Sequence, residues 1–387
     1  MTLKLLRTKL YIPPMRMDCV RRSRLVNMLE SREGHKLTLI SAPAGFGKTT
    51  LLSEWIHQIQ KTRRVCWVSL DERDNQQPVF WAYIVAAIQT IHEAFGEDIL
   101  SALRSPQPPP VTPLVYDLIN EINESCDPFS LVLDDYQVIE SPEVNATVAE
   151  FVEYLPSQVN LVIASRTDPS WSVSHLRASG ELVELRASDL RFTPEEVTDF
   201  LNEVMKLALT DEDIRILDSR TEGWIAGLQL AAISLKGRDS RSFIQAFSGS
   251  HRYILDYLVE EVLDHQPAEV GSFLLGTSIL ERLCAQLCDV VLDRDNSQDL
   301  LVELETENLF IIPLDDIRHW YRYHHLFGEL LRSQLSFQQP ELARLYHQRA
   351  SDWYDEQGYI EDSINHAFAA EDFERAARLV EKYARDM

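Results

Sequence analysis

The chain is poor in cysteine, in positive charge and in long apolar runs, and each shortage narrows what it can be. Only five cysteines occur among 387 residues, Cys19, Cys66, Cys126, Cys284 and Cys288, and none form a CxxC pair. An odd, scattered set with mostly apolar flanks suits a reducing compartment and speaks against a disulfide framework. Cys284 and Cys288 would share a helix face, yet no third or fourth ligand lies nearby, so two packed thiols are expected rather than a metal site. No apolar run is long enough to span a bilayer, and Lys4, Arg7 and Lys9 lead into no apolar signal core. A soluble, cytoplasmic protein with no membrane partner is expected. Lys and Arg number 37 against 61 Asp and Glu, a formal charge of -24, which removes any general basic field for gripping DNA, RNA or an anionic membrane. The length exceeds one compact core and implies about two to four domains.

What the chain does have is residues 42–50, Ala-Pro-Ala-Gly-Phe-Gly-Lys-Thr-Thr, between the apolar run 37–40 and the amphipathic stretch 51–56. Strand, loop and helix in that order are the setting of a phosphate-binding loop. The backbone N–H groups over Ala44, Gly45, Phe46, Gly47, Lys48, Thr49 and Thr50, with the positive end of the helix, would cradle the α- and β-phosphates of a nucleoside triphosphate. Lys48 would bring a point charge to the β- and γ-phosphates and Thr49 a hydroxyl ligand to Mg2+. Ala42 replaces the first glycine of the pattern, which is tolerated if that residue keeps a negative φ.

Ahead of this loop, residues 1–30 read as an extended arm followed by a short helix over 25–31. Its basic Arg21, Arg22 and Arg24 could either approach the nucleotide or lie solvated on the surface. After it, residues 65–70 read as a second strand, and Asp71 to Asn75 as a polar loop at a strand's carboxyl end, where ligands bind in open α/β sheets. A helix is expected over 79–92 and a proline-rich surface linker over 106–113. The apolar run 130–133 ends in Asp134 and Asp135. Asp134 would hold Mg2+, and Asp135 would polarise the attacking water as general base. A further strand, 159–164, ends in Ser165 and Arg166, and an arginine placed there can reach a γ-phosphate. Residues 182–185 give a fifth strand, so the fold class is α/β, a five-stranded parallel sheet covered on both faces.

From Thr193 the pattern turns helical. Thr193, Pro194 and Glu196 make an N-cap, a first-position proline and a capping-box partner. Helices are expected over 194–205, 211–220, 222–236 and 251–264, then over 267–276, 284–291 and 297–307. Two apolar runs, 309–314 and 320–323, add a hairpin, and three helices with a hairpin describe a winged helix whose charge does not suit DNA. Of His324 and His325, adjacent and so unable to share a helix face, one packed or hydrogen-bonded histidine is expected, not a metal site. From residue 341 antiparallel helix pairs suggest the start of a tetratricopeptide-like repeat that continues beyond Met387.

These residues together resemble the nucleotide-binding segment of the large ATP-binding, MalT-like regulators of the LuxR class, within the signal-transduction ATPases with numerous domains (STAND). The resemblance covers nearly the whole chain. It is carried by Thr8-Lys9-Leu10-Tyr11-Ile12-Pro13, the loop at 42–50, Ser69-Leu70-Asp71-Glu72 with Asp74-Asn75, Leu133-Asp134-Asp135, Ser165-Arg166, Asp189-Leu190-Arg191-Phe192-Thr193, Glu222-Gly223-Trp224 with 226–230, and 321–327. It implies ATP or ADP with Mg2+ as cofactors, Arg166 as γ-phosphate sensor, and His324 as the winged-helix histidine that touches the β-phosphate of ADP. Ile225 stands where relatives commonly carry a proline packed near adenine. The resemblance also implies a slow ATP hydrolase acting as a switch. ADP would hold a closed resting monomer, and ATP with an inducer would give an open homo-oligomer that activates transcription. The inducer sensor and the DNA-binding helix-turn-helix would lie C-terminal to this segment.

The expected organisation is an arm at 1–30, a P-loop domain at 31–190, a helical domain at 191–265, a winged helix at 266–338 and the start of the repeats at 339–387. Two other functions fit the same loop, a phosphotransferase acting on a small substrate and a non-catalytic scaffold that keeps ADP. The first lacks a basic or polar acceptor cluster after the third strand, and intact Asp134 and Asp135 speak against the second.

Overall fold

The computed structural model describes residues 4–15, 19–30, 34–235, 243–244, 247–249 and 251–384. The chain divides into two compact units, Met1–Phe200 and Leu201–Met387. None of the described helices is long and apolar enough to cross a membrane.

In the first unit, β1 (Leu37–Ser41), β2 (Arg64–Ser69), β3 (Phe129–Asp134), β4 (Val159–Ser165) and β5 (Leu182–Arg186) form one sheet in the order β2-β3-β4-β1-β5. Every neighbouring pair is parallel, as expected. β1, β3 and β4 are buried at every position, which is why their sequences run apolar without alternation. Register sets the carboxyl ends level: Ser41 pairs with Ser165 and with Arg186, and Ser69 with Asp134. The chain ends of β1, β3 and β4 therefore open onto one edge of the sheet, the place where open α/β sheets take ligands.

The helices of this unit are α1 (Ser23–Glu30), α2 (Lys48–Ile59), α3 (Gln77–Gln89), α4 (Glu97–Leu103), α5 (Val111–Ser125), α6 (Pro142–Glu153), α7 (Ser174–Ser179), α8 (Ala187–Leu190) and α9 (Pro194–Thr198). Phe80, Trp81 and Ile84 of α3 join Leu131, Leu161 and Ile163 of the sheet in one core. Trp81 sets its ring 5.4 Å from that of Phe151 on α6 and donates its indole N–H to Thr147 Oγ1 at 3.0 Å. The cap read from Thr193 is present: Thr193 Oγ1 accepts from Glu196 N at 3.2 Å and the Glu196 carboxylate from Thr193 N at 3.0 Å.

Several expectations need correcting. The linker expected over 106–113 gives way to α5 at Val111, because a proline in a first turn removes only an N–H that has no helical partner. Asp71 to Asn75 is not an open loop but a one-turn 3-10 helix, Glu72–Asn75, closed by a capping box between Asp71 and Asp74. The arm is solvated only in part: Leu6, Tyr11 and Arg21 are exposed, whereas Lys9 and Arg22 are buried. Lys9 is ion-paired to fully buried Asp74, with its ammonium 4.3 Å from the Tyr83 ring centroid. Arg22 is also buried: its guanidinium donates to Arg191 O at 2.8 Å and its N–H to the Glu54 carboxylate. The helix expected over 194–205 is α9 followed by a π-helical turn, Asp199–Val204. Residues 1–3, 16–18 and 31 of the expected arm and first helix, and 236 of the helix expected over 222–236, lie outside the described residues.

In the second unit the helices Asp211–Thr221 and Ile225–Leu235 come first, then Arg252–Leu258 running into a π turn, Val259–Leu263. Helices Ala268–Thr277, Ala285–Leu292 and Ser297–Thr306 and the antiparallel hairpin of β6 (Ile311–Pro313) and β7 (Tyr321–Tyr323) build the expected winged helix. Leu283 and Tyr321 add an isolated antiparallel bridge to the hairpin through two backbone hydrogen bonds of 2.8 and 2.9 Å. Cys284 and Cys288 are buried in this core. Beyond it lie His325–Gln338 and the antiparallel helices Pro340–Glu356, Ile360–Ala369 and Phe373–Ala384. Ser351 and Ser363 lock the first pair of these, each hydroxyl donating to the other residue's carbonyl, at 2.9 and 2.8 Å.

Candidate functional site

β1 stops at Ser41, and Ala42 prolongs it by one hydrogen bond, its N–H donating to Ser165 O at 3.3 Å. Ala42 is not one of the residues with positive φ, so losing the first glycine of the motif costs nothing there. The chain must then turn back into α2, and it does so through Gly45 at φ 78° and Gly47 at φ 75°. In that region a Cβ is strained, so these two glycines are required. Ala44 and Phe46 are buried beside them. Gly47 is the N-cap of the twelve-residue α2, so Lys48, Thr49 and Thr50 form its first turn, where helix N–H groups lack helical partners. All seven residues expected to cradle phosphate share this loop and turn.

Lys48 is 8% exposed and its ammonium donates to Ala42 O at 2.7 Å and Pro43 O at 3.0 Å. Burial, and after it the charge of Arg166, lowers its pKa to about 8 against the opposing pull of Asp135 and Asp134. Lys48 thus lies within reach of the charges of the other three groups singled out in the sequence.

Thr49 Oγ1 donates to Asp134 Oδ2 at 2.9 Å, joining the start of α2 to the end of β3. Asp134 is 3% exposed and its Oδ1 has no hydrogen-bond partner. Burial, then the neighbouring charge of Asp135, lifts its pKa to about 6. A buried carboxylate oxygen without a donor calls for an explanation, and a hard divalent cation supplies one. Among the described residues no group of three or more His, Cys, Asp or Glu is arranged for a metal. Thr49 Oγ1 and the open Asp134 oxygen are the groups that would hold Mg2+, which would supply charge neutralisation for bound phosphates.

Asp135 takes the left-handed conformation, φ 60° and ψ 40°, at the entry to a one-turn 3-10 helix, Tyr136–Val138. Non-glycine residues held there cluster at functional sites. Its Oδ1 accepts from Gln137 Nε2 at 3.0 Å, and Gln137 Oε1 accepts from the backbone N–H of Arg166 at 2.8 Å. Sequence reasoning missed Gln137. It also gave Asn75 no role. Asn75 clamps the loop after Asp135, donating to Val138 O at 2.7 Å and accepting from Glu140 N at 2.7 Å and Ser141 N at 2.8 Å.

Ile225 and His324 belong to the second unit. Ile225 opens the helix Ile225–Leu235. His324 is buried, its Nε2 lies 2.9 Å from Thr221 O, and its ring sits edge-on to Trp224 and Phe310 at 5.9 and 5.7 Å between centroids. The packed, hydrogen-bonded histidine expected from the sequence is therefore present, next to the Glu222-Gly223-Trp224 motif.

The chain is similar to several known proteins. Residues 259–343 match the MalT winged helix domain. The chain is 34% identical over 374 residues to the HTH-type transcriptional regulator MalT of Yersinia pestis, covering 95% of this chain and 41% of the regulator. It is 32% identical over 365 residues to the serine/threonine-protein kinase PknK of Mycobacterium tuberculosis, covering 94% of this chain and 33% of the kinase. It thus spans 33% to 41% of the length of these relatives. A Walker-type ATPase of Pyrococcus abyssi has a similar structure, with a TM-score of 0.58 at 14% identity over 83% of this chain and 99% of that one. At that identity the likeness concerns the fold.

Proposed function

We propose that this chain, 34% identical to the regulator MalT over 374 residues and matching the MalT winged helix domain at residues 259–343, is the nucleotide-driven switch segment of a transcriptional activator. Its first unit binds ATP or ADP with Mg2+ and hydrolyses ATP slowly. ADP holds a resting monomer, ATP with an inducer gives a self-assembling form, and hydrolysis resets it. Inducer recognition and DNA binding are assigned to segments other than these 387 residues. The domain limits expected from the sequence, at 30, 190, 265 and 338, are part of this proposal.

The observation that carries the reading is the Thr49 to Asp134 contact, 2.9 Å long, with a buried, unpartnered Asp134 Oδ1 beside it. Mg2+, when bound, neutralises charge on the β- and γ-phosphates. The loop N–H groups and Lys48 hold the phosphates in place. Asp135, with one oxygen engaged by Gln137, turns the other toward water and takes its proton. Arg166 answers the γ-phosphate, so the triphosphate and the diphosphate bind unequally. That inequality is the only source from which a ligand can shift a conformational equilibrium. His324 is assigned to the diphosphate state and Ile225 to the base. Support for His324 lies in the fixed ring orientation that Thr221 and Trp224 give it.

Nucleotide released from the denatured purified protein, identified by mass spectrometry, tests the ligand. Phosphate release and light scattering with ADP and with ATP test the switch. Turnover well below the ~10 s⁻¹ typical of enzymes is expected, with larger particles in ATP alone. Fast turnover only with an added small acceptor would instead favour the phosphotransferase.

A further inference from the structure

Asp135 and Arg166 are the first residues beyond the neighbouring strands β3 and β4, and one side chain touches both. Gln137 Nε2 donates to Asp135 Oδ1 at 3.0 Å while Gln137 Oε1 accepts from Arg166 N at 2.8 Å. The chemistry leaves no freedom in how this amide is turned. A backbone N–H can only donate, so the oxygen faces Arg166, and a carboxylate can only accept, so the NH2 group faces Asp135. From this geometry we infer that Gln137 is a positioning residue for ATP hydrolysis, coupling the general base to the strand end that carries the γ-phosphate sensor. The inference rests on the function proposed for the same site.

The loop beneath Gln137 is held without its help. Tyr136 is buried, and its hydroxyl donates to Asn145 Oδ1 at 3.0 Å and accepts from Trp171 Nε1 at 3.4 Å. Asn145 Nδ2 donates to Ile139 O at 3.0 Å, and Asn75 fastens Val138, Glu140 and Ser141. Gln137 is thus presented from an anchored turn and acts on the site, not on the loop. Its bond to Asp135 is charge-assisted and fixes which carboxylate oxygen stays available for water. The same amide meets the first residue beyond β4, so a shift of Arg166 toward an anion moves the carboxamide, and with it the Asp135 carboxylate.

Two variants separate the two halves of the bridge. Gln137→Glu keeps the acceptor for Arg166 N and loses the donor to Asp135; Gln137→Ala loses both. ATP affinity should stay within about twofold of wild type in each, while kcat falls about 10- to 100-fold, the usual cost of a misplaced catalytic group. Amide hydrogen exchange at Arg166, measured without nucleotide, should be unchanged in Gln137→Glu and faster in Gln137→Ala. In an Asp135→Ala background Gln137→Ala should cause no further loss of hydrolysis. Wild-type turnover in Gln137→Glu, or unaltered Arg166 exchange in Gln137→Ala, would overturn the inference and leave the proposed function standing. A wild-type chain that binds ATP without hydrolysing it would remove the proposed catalytic role of the site, and this inference with it.

Discussion

Glu222 and Arg322 meet as a two-pronged ion pair, Nη1 to Oε1 and Nη2 to Oε2 each at 2.8 Å, joining the end of helix Asp211–Thr221 to β7. Glu222 Oε1 also accepts from His325 N at 2.9 Å, so one carboxylate organises the turn on which His324 sits. Burial alone would raise the pKa of Glu222, but the Arg322 hydrogen bonds and the nearby charges outweigh it and bring the value down to about 2. A carboxylate depressed on folding stabilises fully above its unfolded pKa and loses that contribution as pH falls through the folded value. Acid titration should therefore remove on the order of 2–3 kcal/mol between roughly pH 4.5 and 2. Glu222→Gln should lose a similar amount at pH 7 and show no such loss in that window, as measured by denaturant unfolding.

Lys48 presents the opposite sign. Its folded pKa of about 8 lies below the unfolded value, burial being the main cause. Between pH 8 and 10.5 the unfolded chain holds more protons than the folded one, so stability rises with pH across that window. Below it the buried ammonium costs roughly 1–3 kcal/mol. Lys48→Met should therefore raise the melting temperature in the absence of nucleotide and flatten the pH dependence above 8. The same variant should lose all stabilisation by ATP. A site kept at a cost in stability is the pattern expected of function rather than packing.

The strands and the phosphate loop were legible because both write themselves locally. A parallel strand buried on both faces must be a continuous apolar run, and a loop with two left-handed positions must carry glycine there. The winged helix could be read from helix spacing and two apolar runs. The start of α5 was hidden by proline: Pro106 to Pro113 suggest a linker, although Pro113 stands in a first turn, where no helical hydrogen bond is lost. The contacts of Gln137, Asn75 and Arg22 could not be read from the sequence, because each of them includes a distant backbone partner. Gln137 meets Arg166 N, Asn75 meets Val138 O, and Arg22 meets Arg191 O. Backbone atoms are the same for every residue type, and only the tertiary fold brings these segments side by side.

Asp134 titrates within reach of neutral pH, its pKa lifted to about 6 mainly by burial. Because the folded pKa exceeds the unfolded one, stability should fall as pH rises from about 4 to 6, and Mg2+ with nucleotide should restore it by binding only the ionised form. Asp134→Asn should be at least as stable as wild type at pH 7. It should lose the Mg2+ dependence of ATP binding and drop hydrolysis by about 100-fold or more. Thr49→Ala should share the binding defect while leaving the carboxylate, so calorimetric titration of ATP with and without Mg2+ tells the two contributions apart.

The arm offers the sharpest test of packing against charge. Asp74 is fully buried, and its Oδ2 takes the Lys9 ammonium together with Asp71 N at 2.8 Å. Burial raises its pKa, and the Lys9 hydrogen bond and charge oppose that rise. Removing only the lysine strands a carboxylate in the interior, which typically costs about 3–5 kcal/mol, while replacing both partners with apolar or neutral groups is often close to neutral. Lys9→Met should therefore destabilise the first unit strongly, and Lys9→Met with Asp74→Asn should recover most of the loss. If the pair acted only as a surface tether, both variants would cost less than about 1 kcal/mol in urea unfolding. Since Asp74 shares its turn with Asn75, which clamps the loop after Asp135, the single variant should also slow ATP hydrolysis and the double variant should restore it. Recovery of stability without recovery of turnover would show that the arm's charge, not the turn it holds, matters to the site.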